Sequence, residues 1–302
     1  MSTKVAEYLG QRTDIAIPVI NPVPPNYNSR CPFMEADCTK ISQGYKPVCS
    51  VRDSNDHLWI VCRNRLCSTL QDPPLTNYQK DILFKIALAI FGTPLEREQV
   101  IVKREQAIPV VDNSRYLADY IMMSYNLNRD LTGPKRVVLE MQGGGETSNT
   151  GKITRHVENW EQDPKRNNDL LSSKVPGTGL VITNAWRRQQ EQFIIKGNIA
   201  QQTGGGIVFC VGHLLFDYLW QRVRNENMPN LRRHNWTLAL LGISEDMNAP
   251  LQNGSVPLKI DPERVLFTSY INFVQALIKQ GDPYPEMFEG KFETLSGQII
   301  EI

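Results

Sequence analysis

Apolar positions recur along the chain with two periods. From Asn77 to Ile90 the residues Ile82, Leu83, Ile86, Leu88 and Ala89 predict a helix that Asn77 caps and that ends near Gly92. Leu95, Val100, Ile101 and Val102 predict a second helix starting at Pro94 and stopping before Pro109. Two strand-like runs follow, Tyr116 to Tyr125 and Arg136 to Gly143, joined by turn residues between Asn128 and Pro134, so they predict a hairpin. Further on, Asn184 opens a Gln-rich helix ending near Lys196. Gly204 to Gly206 lead into a buried strand from Ile207 to Val211, and a helix runs from His213 through Arg222. Thr237 to Gly242 reads as a strand and Val265 to Gln280 as a helix. This alternation predicts an α/β fold.

The N-terminal part differs. It begins with a short predicted helix and continues as an extended, Pro-rich arm from Pro18 to Pro25. Five of the six cysteines, Cys31, Cys38, Cys49, Cys62 and Cys67, then fall in one short stretch interrupted by turn residues such as Pro32, Gly44 and Pro47. Asp72-Pro73-Pro74 marks a boundary, which divides the chain into an arm with a cysteine lobe (residues 1–72) and a main domain (73–302). A disulfide framework would need an oxidising compartment and usually a secretory leader. The first ten residues lack the apolar core of a leader, and no apolar run is long enough to span a bilayer. A cytoplasmic, reduced protein with a thiolate-bound structural metal, zinc or iron, is therefore expected. The sixth cysteine, Cys210, lies in an apolar run and reads as a small core residue.

Charge narrows little. A net charge of +1 over 302 residues neither demands nor excludes a nucleic-acid partner, but Lys and Arg are locally clustered. Arg155-His156 follows the second strand of the hairpin, and Arg187-Arg188 opens the helix that ends near Lys196. These residues suit contacts to phosphates and base edges. The triple glycine at Gly204 is followed by no Gly-Lys-Ser/Thr, which excludes a nucleotide-binding P-loop.

The chemistry concentrates on the hairpin. Glu140 sits inside the apolar run Val137-Val138-Leu139-Glu140-Met141, where an unpaired carboxylate is costly to bury. Strand alternation puts Glu140 and Gln142 on one face, and Asp119 on the other strand is within reach of it. Two carboxylates and an amide make an oxygen-rich site that suits Mg²⁺ better than zinc.

Two motifs together carry a family resemblance over roughly residues 31 to 145. Cys31-Pro32-Phe33 with Cys38, Cys49-Ser50-Val51 and Cys62, and Asp119 followed by Glu140-Met141-Gln142, resemble the NotI-type restriction endonucleases, including EagI-like enzymes, of the PD-(D/E)xK nuclease superfamily. The resemblance implies a PD-(D/E)xK core, a mixed central sheet flanked by helices, with a small four-cysteine lobe. It implies an iron held by Cys31, Cys38, Cys49 and Cys62, with Cys67 as a possible substitute for Cys62. It further implies an active site of Asp119, Glu140 and Gln142 with Mg²⁺ on the two acids, plus a Glu on the preceding helix, here Glu105. The activity implied is that of a prokaryotic type II endonuclease cutting double-stranded DNA at a GC-rich palindrome, as a homodimer, with a cognate DNA methyltransferase in the same host. Two other functions fit the same residues: a non-catalytic, metal-containing DNA-binding protein, or a repair-type nuclease of the same fold.

Overall fold

A six-stranded mixed sheet forms the centre of the protein, with its strands in the order β9-β8-β7-β6-β5-β4. They are β4 (Val100–Pro109), β5 (Arg115–Ser124), β6 (Arg136–Gln142), β7 (Gly206–Gly212), β8 (Leu238–Glu245) and β9 (Leu258–Thr268). The computed structural model describes residues 1–15, 20–24, 29–67, 74–109, 115–125, 133–164, 169–279 and 285–302. Strands β6, β7 and β8 run parallel, and antiparallel pairs close the sheet on both sides: β4 and β5 next to β6, and β9 next to β8. All seven residues of β7 are buried, as expected of a central parallel strand covered on both faces.

Period-two alternation divides the core. Ile207, Phe209 and Val211 face one layer, and Val208 and Cys210 face the other. The first layer holds three helices, α3 (Ile182–Gln202), α4 (His213–Val223) and α5 (Tyr270–Lys279). The second holds α1 (Asn77–Phe91), which buries Ile82, Leu83, Ile86, Ala87, Ile90 and Phe91. Thr76 caps α1 through a reciprocal box with Gln79, so the cap lies one residue before the predicted Asn77. A further helix, α2 (Thr150–Gln162), packs Ile153, Val157 and Trp160 into the first layer.

The N-terminal segment forms a second sheet from β1 (Ser2–Tyr8), β2 (Val48–Arg52) and β3 (Leu58–Ile60), joined by short strands at Gln11–Arg12 and Val175–Pro176. Val5, Tyr8, Val51 and Trp59 reach the same core as α3. A buried ion pair fixes the segment. Arg65 and Glu7 are fully enclosed, and Glu7 also accepts from Ser50 Oγ at 2.6 Å and from the Val256 N–H at 2.8 Å. Both carboxylate oxygens are thus hydrogen-bonded, which is the condition for tolerating a buried charge.

Three predicted elements are corrected. The helix expected from Pro94 is strand β4 after a single 3-10 turn, and the helix expected at the N-terminus is strand β1. The helix expected over Val265 to Gln280 is the end of β9 followed by α5. Ser269, whose Oγ accepts the Asn272 N–H at 3.1 Å, starts that helix. The Pro-rich arm is described only at residues 20–24, and most of the hairpin turn and the Asp72-Pro73 boundary lie outside the described residues. No helix among the described residues is long and apolar enough to cross a membrane.

Candidate active site and cysteine cluster

Strands β5 and β6 and helix α3 meet at a cavity of about 440 Å³, lined by Asp119, Glu140, Gln142, Gln189 and Gln192 and, from the cysteine segment, by Cys62 and Arg63. The ladder places Tyr120 opposite Leu139, so Asp119 and Glu140 occupy the next positions along neighbouring strands. Asp119 Oδ2 accepts the Met141 N–H at 2.8 Å, which fixes its carboxylate at the cavity wall. Leu139 points to the α1 layer; the alternate residues Glu140 and Gln142 therefore point to α3.

Glu140 is 4% exposed. Burial first, then the charge of Asp119, pushes its carboxyl up to about 8, against the opposing effect of Lys196. Lys196 Nζ lies 2.7 Å from Glu140 Oε2, and also donates to the Leu117 carbonyl. The other oxygen, Oε1, is buried with no hydrogen-bond partner among the described residues. An orphaned carboxylate oxygen inside a protein costs on the order of 1–3 kcal/mol or more, and a bound cation would offset it. Gln142 is held at both ends of its amide. Its Nε2 donates to the Gly144 carbonyl at 3.3 Å, and its Oε1 accepts from Gln189 Nε2 at 2.9 Å.

The glycines after β6 have a steric reason. A Cβ at Gly143 would stand 2.8 Å from the Ile60 side chain, and one at Gly144 would stand 2.5 Å from the Trp59 ring. The Gly145 N–H then bonds the Ile60 carbonyl at 3.1 Å, so β3 docks directly on the loop leaving the acidic strand. This contact brings Cys62 and Arg63 to the cavity.

Cys31, Cys38, Cys49 and Cys62 are all buried and share one small core cluster with Phe33 and Met34. The Cys62 N–H bonds the Cys49 carbonyl at 3.1 Å, which pairs the second half of the set. Backbone N–H groups of Phe33 and Met34 donate to the Cys31 sulfur, and that of Gly10 donates to Cys49 Sγ at 3.3 Å. Burial nonetheless pushes the thiols of Cys31 and Cys49 up. Cys67 lies apart in the core beside α1, as does Cys210 on β7. Four thiols, two of them with N–H donors to sulfur, form a donor set that suits zinc or iron. Among the described residues, however, no group of three or more His, Cys, Asp or Glu is arranged to hold a metal ion. Donor chemistry fits at both places, and no closed coordination shell is formed at either.

The remaining expected site residues divide. Glu105 lies on strand β4, not on a helix, between Arg104 and Gln106, which pair with Tyr120 and Ala118 on either side of Asp119; its side chain lies outside the described residues. Arg155, Arg187 and Arg188 are exposed, and Arg188 pairs with Glu146 at 2.6 Å. His156 is half-buried on α2. Lys196 is the clear correction. Expected as a surface contact to DNA, it is 1% exposed and is the partner of Glu140. Gln189, Gln192 and Arg63 were not expected at the site. Ala185, Gln189, Gln192 and Lys196 follow helical spacing beside the buried stripe Trp186, Phe193 and Ala200, so polar residues flanking that stripe were the available signal.

A scan against known family models and a search of curated proteins each find no match to this chain.

Proposed function

We propose that this chain is a Mg²⁺-dependent, sequence-specific endonuclease of double-stranded DNA built on a PD-(D/E)xK core. One observation carries the reading: Glu140 keeps an unpartnered oxygen at a cavity that Asp119 also lines, at the edge of a parallel pair of strands. Asp119 and Glu140 would hold the ion, which when bound supplies charge stabilisation at the phosphoryl centre and a more acidic water. The protein's own groups do the rest. Lys196 keeps the second oxygen of Glu140 engaged, so the carboxylate cannot turn away from the cavity. Gln142 orients a reactant and takes no proton, because an amide is not a base at neutral pH. The water oxygen bonds to phosphorus as the ester oxygen leaves with its electron pair; the water's proton passes to solvent, and the leaving oxygen is protonated in turn.

Arg155, Arg187 and Arg188, all exposed, are proposed to contact the DNA. The cysteine cluster is given a structural iron or zinc at Cys31, Cys38, Cys49 and Cys62, which would stiffen the segment that supplies Arg63. A palindromic target would be matched by a homodimer, and a host methyltransferase would protect the same sites. Incubating the purified protein with Mg²⁺ and a long natural DNA tests the reading. Discrete fragments are expected, and sequencing their ends gives the recognition site and cut position. A mobility shift without cutting would overturn it in favour of a non-catalytic DNA-binding protein.

A further inference from the structure

Gln142 is the only member of the proposed catalytic set that is neither an acid nor a base, so the end of its amide that faces the reactants decides what it can do. The Gly144 carbonyl can only accept, and the Gln142 atom 3.3 Å from it is therefore the nitrogen. The Gln142 oxygen must then lie on the other side, where Gln189 Nε2 donates to it at 2.9 Å. A backbone carbonyl thus sets the polarity of a two-amide relay running from Gly144 through Gln142 to Gln189. An amide nitrogen carries two hydrogens. One is spent on Gly144, and the second belongs to a half-buried side chain that lines the cavity.

We propose that Gln189 is a positioning residue that locks Gln142 with an N–H turned to the cavity, making Gln142 a hydrogen-bond donor to a phosphate oxygen of the DNA and not an acceptor for the attacking water. A non-bridging phosphate oxygen is an anionic acceptor and matches that donor, and a donor placed where charge develops strengthens in the transition state. The amide oxygen, which would be needed to draw on a water's hydrogen, is occupied by Gln189. This inference rests on the endonuclease reading above for its substrate and on the relay alone for its geometry.

The test substitutes Gln189 by a donor, by neither donor nor acceptor, and by an acceptor: Gln189→Lys, Gln189→Met and Gln189→Glu. In single-turnover cleavage at saturating enzyme, the Lys variant should stay within about threefold of wild type. The Met variant should fall about tenfold and the Glu variant about a hundredfold, since an acceptor there turns the Gln142 amide around. The Gln142 side-chain amide resonance of the ¹⁵N-labelled full-length protein, assigned by its loss in Gln142→Met, should shift in the Glu variant and hold in the Lys variant. A Glu variant as active as the Lys variant, or an unmoved Gln142 resonance in it, overturns the proposal. Gln189→Met adds no charge and decides the matter if the Glu variant does not fold; unchanged rate and unchanged resonance there have the same meaning. If the wild-type protein cuts no DNA, the endonuclease reading falls, and the resonances still report the relay.

Discussion

The carboxylate cavity and the cysteine cluster touch at Cys62, which lines one and belongs to the other, yet they bury their functional groups in opposite ways. The cavity encloses an acid beside an ammonium, with one oxygen left over and an open mouth to solvent. The cluster encloses four thiols, each nearly inaccessible, with backbone N–H donors to the sulfurs of Cys31 and Cys49. Burial favours the protonated form in both. The internal cation makes the difference: Lys196 sets an opposite charge beside the enclosed acid. Neutral thiols need no such partner.

Removing the acid should give the largest effect. Glu140→Ala is expected to lower cleavage by about a thousandfold or more in a supercoiled-plasmid assay, with the fold intact by circular dichroism. A fully active variant would remove the chemistry from the cavity altogether. Next comes the internal cation. Lys196→Met should destabilise the metal-free protein by about 3–5 kcal/mol in denaturant titration above about pH 8, where the Glu140 carboxyl is ionised and loses its cation, and Lys196→Met with Glu140→Gln should recover most of that loss. No recovery would mean that Lys196 acts through packing.

Two smaller effects sharpen the contrast. Elemental analysis should find the structural metal retained in Cys67→Ser and lost in Cys49→Ser; loss from Cys67→Ser would move Cys67 into the ligand set. For pH, the Glu140 carboxyl rises from 4.5 when unfolded to about 8 when folded. The folded state therefore binds the proton more tightly, and this group's stabilising contribution is present below the unfolded value and lost as pH rises through the folded one. In EDTA the Tm should fall between about pH 5 and pH 8 more steeply for wild type than for Glu140→Gln; equal slopes would contradict the assignment. The smallest effect is expected from Gln142→Lys, which should fold with Tm nearly unchanged and keep measurable cleavage, since the replacement is also a donor.

What was legible in the sequence follows from the range of the interactions involved. The acidic hairpin could be read because Glu140 interrupts an apolar run and Gln142 shares its face through strand alternation, both local facts. Val100-Ile101-Val102 was misread as helical although three successive β-branched residues favour a strand. Val265 to Gln280 was misread because strand and helix abut there, with Ser269 as the only mark between them. Lys196 could not be placed at all. Its carboxylate partner lies 56 positions away, and helical spacing alone gives no sign of which strand a polar residue beside an apolar stripe will meet. Gln189 and Arg63 escaped for the same reason, since packing between elements puts them at the cavity.

The glycine loop after β6 has a consequence for how this protein can change over generations. With Ile60 against Gly143 and Trp59 against Gly144, any side chain gained on one side of that border needs a matching loss on the other, and single substitutions cannot supply both at once. The sulfur-bearing segment and the acid-bearing strand are therefore expected to be inherited as one unit, exchanged together in recombination or not at all.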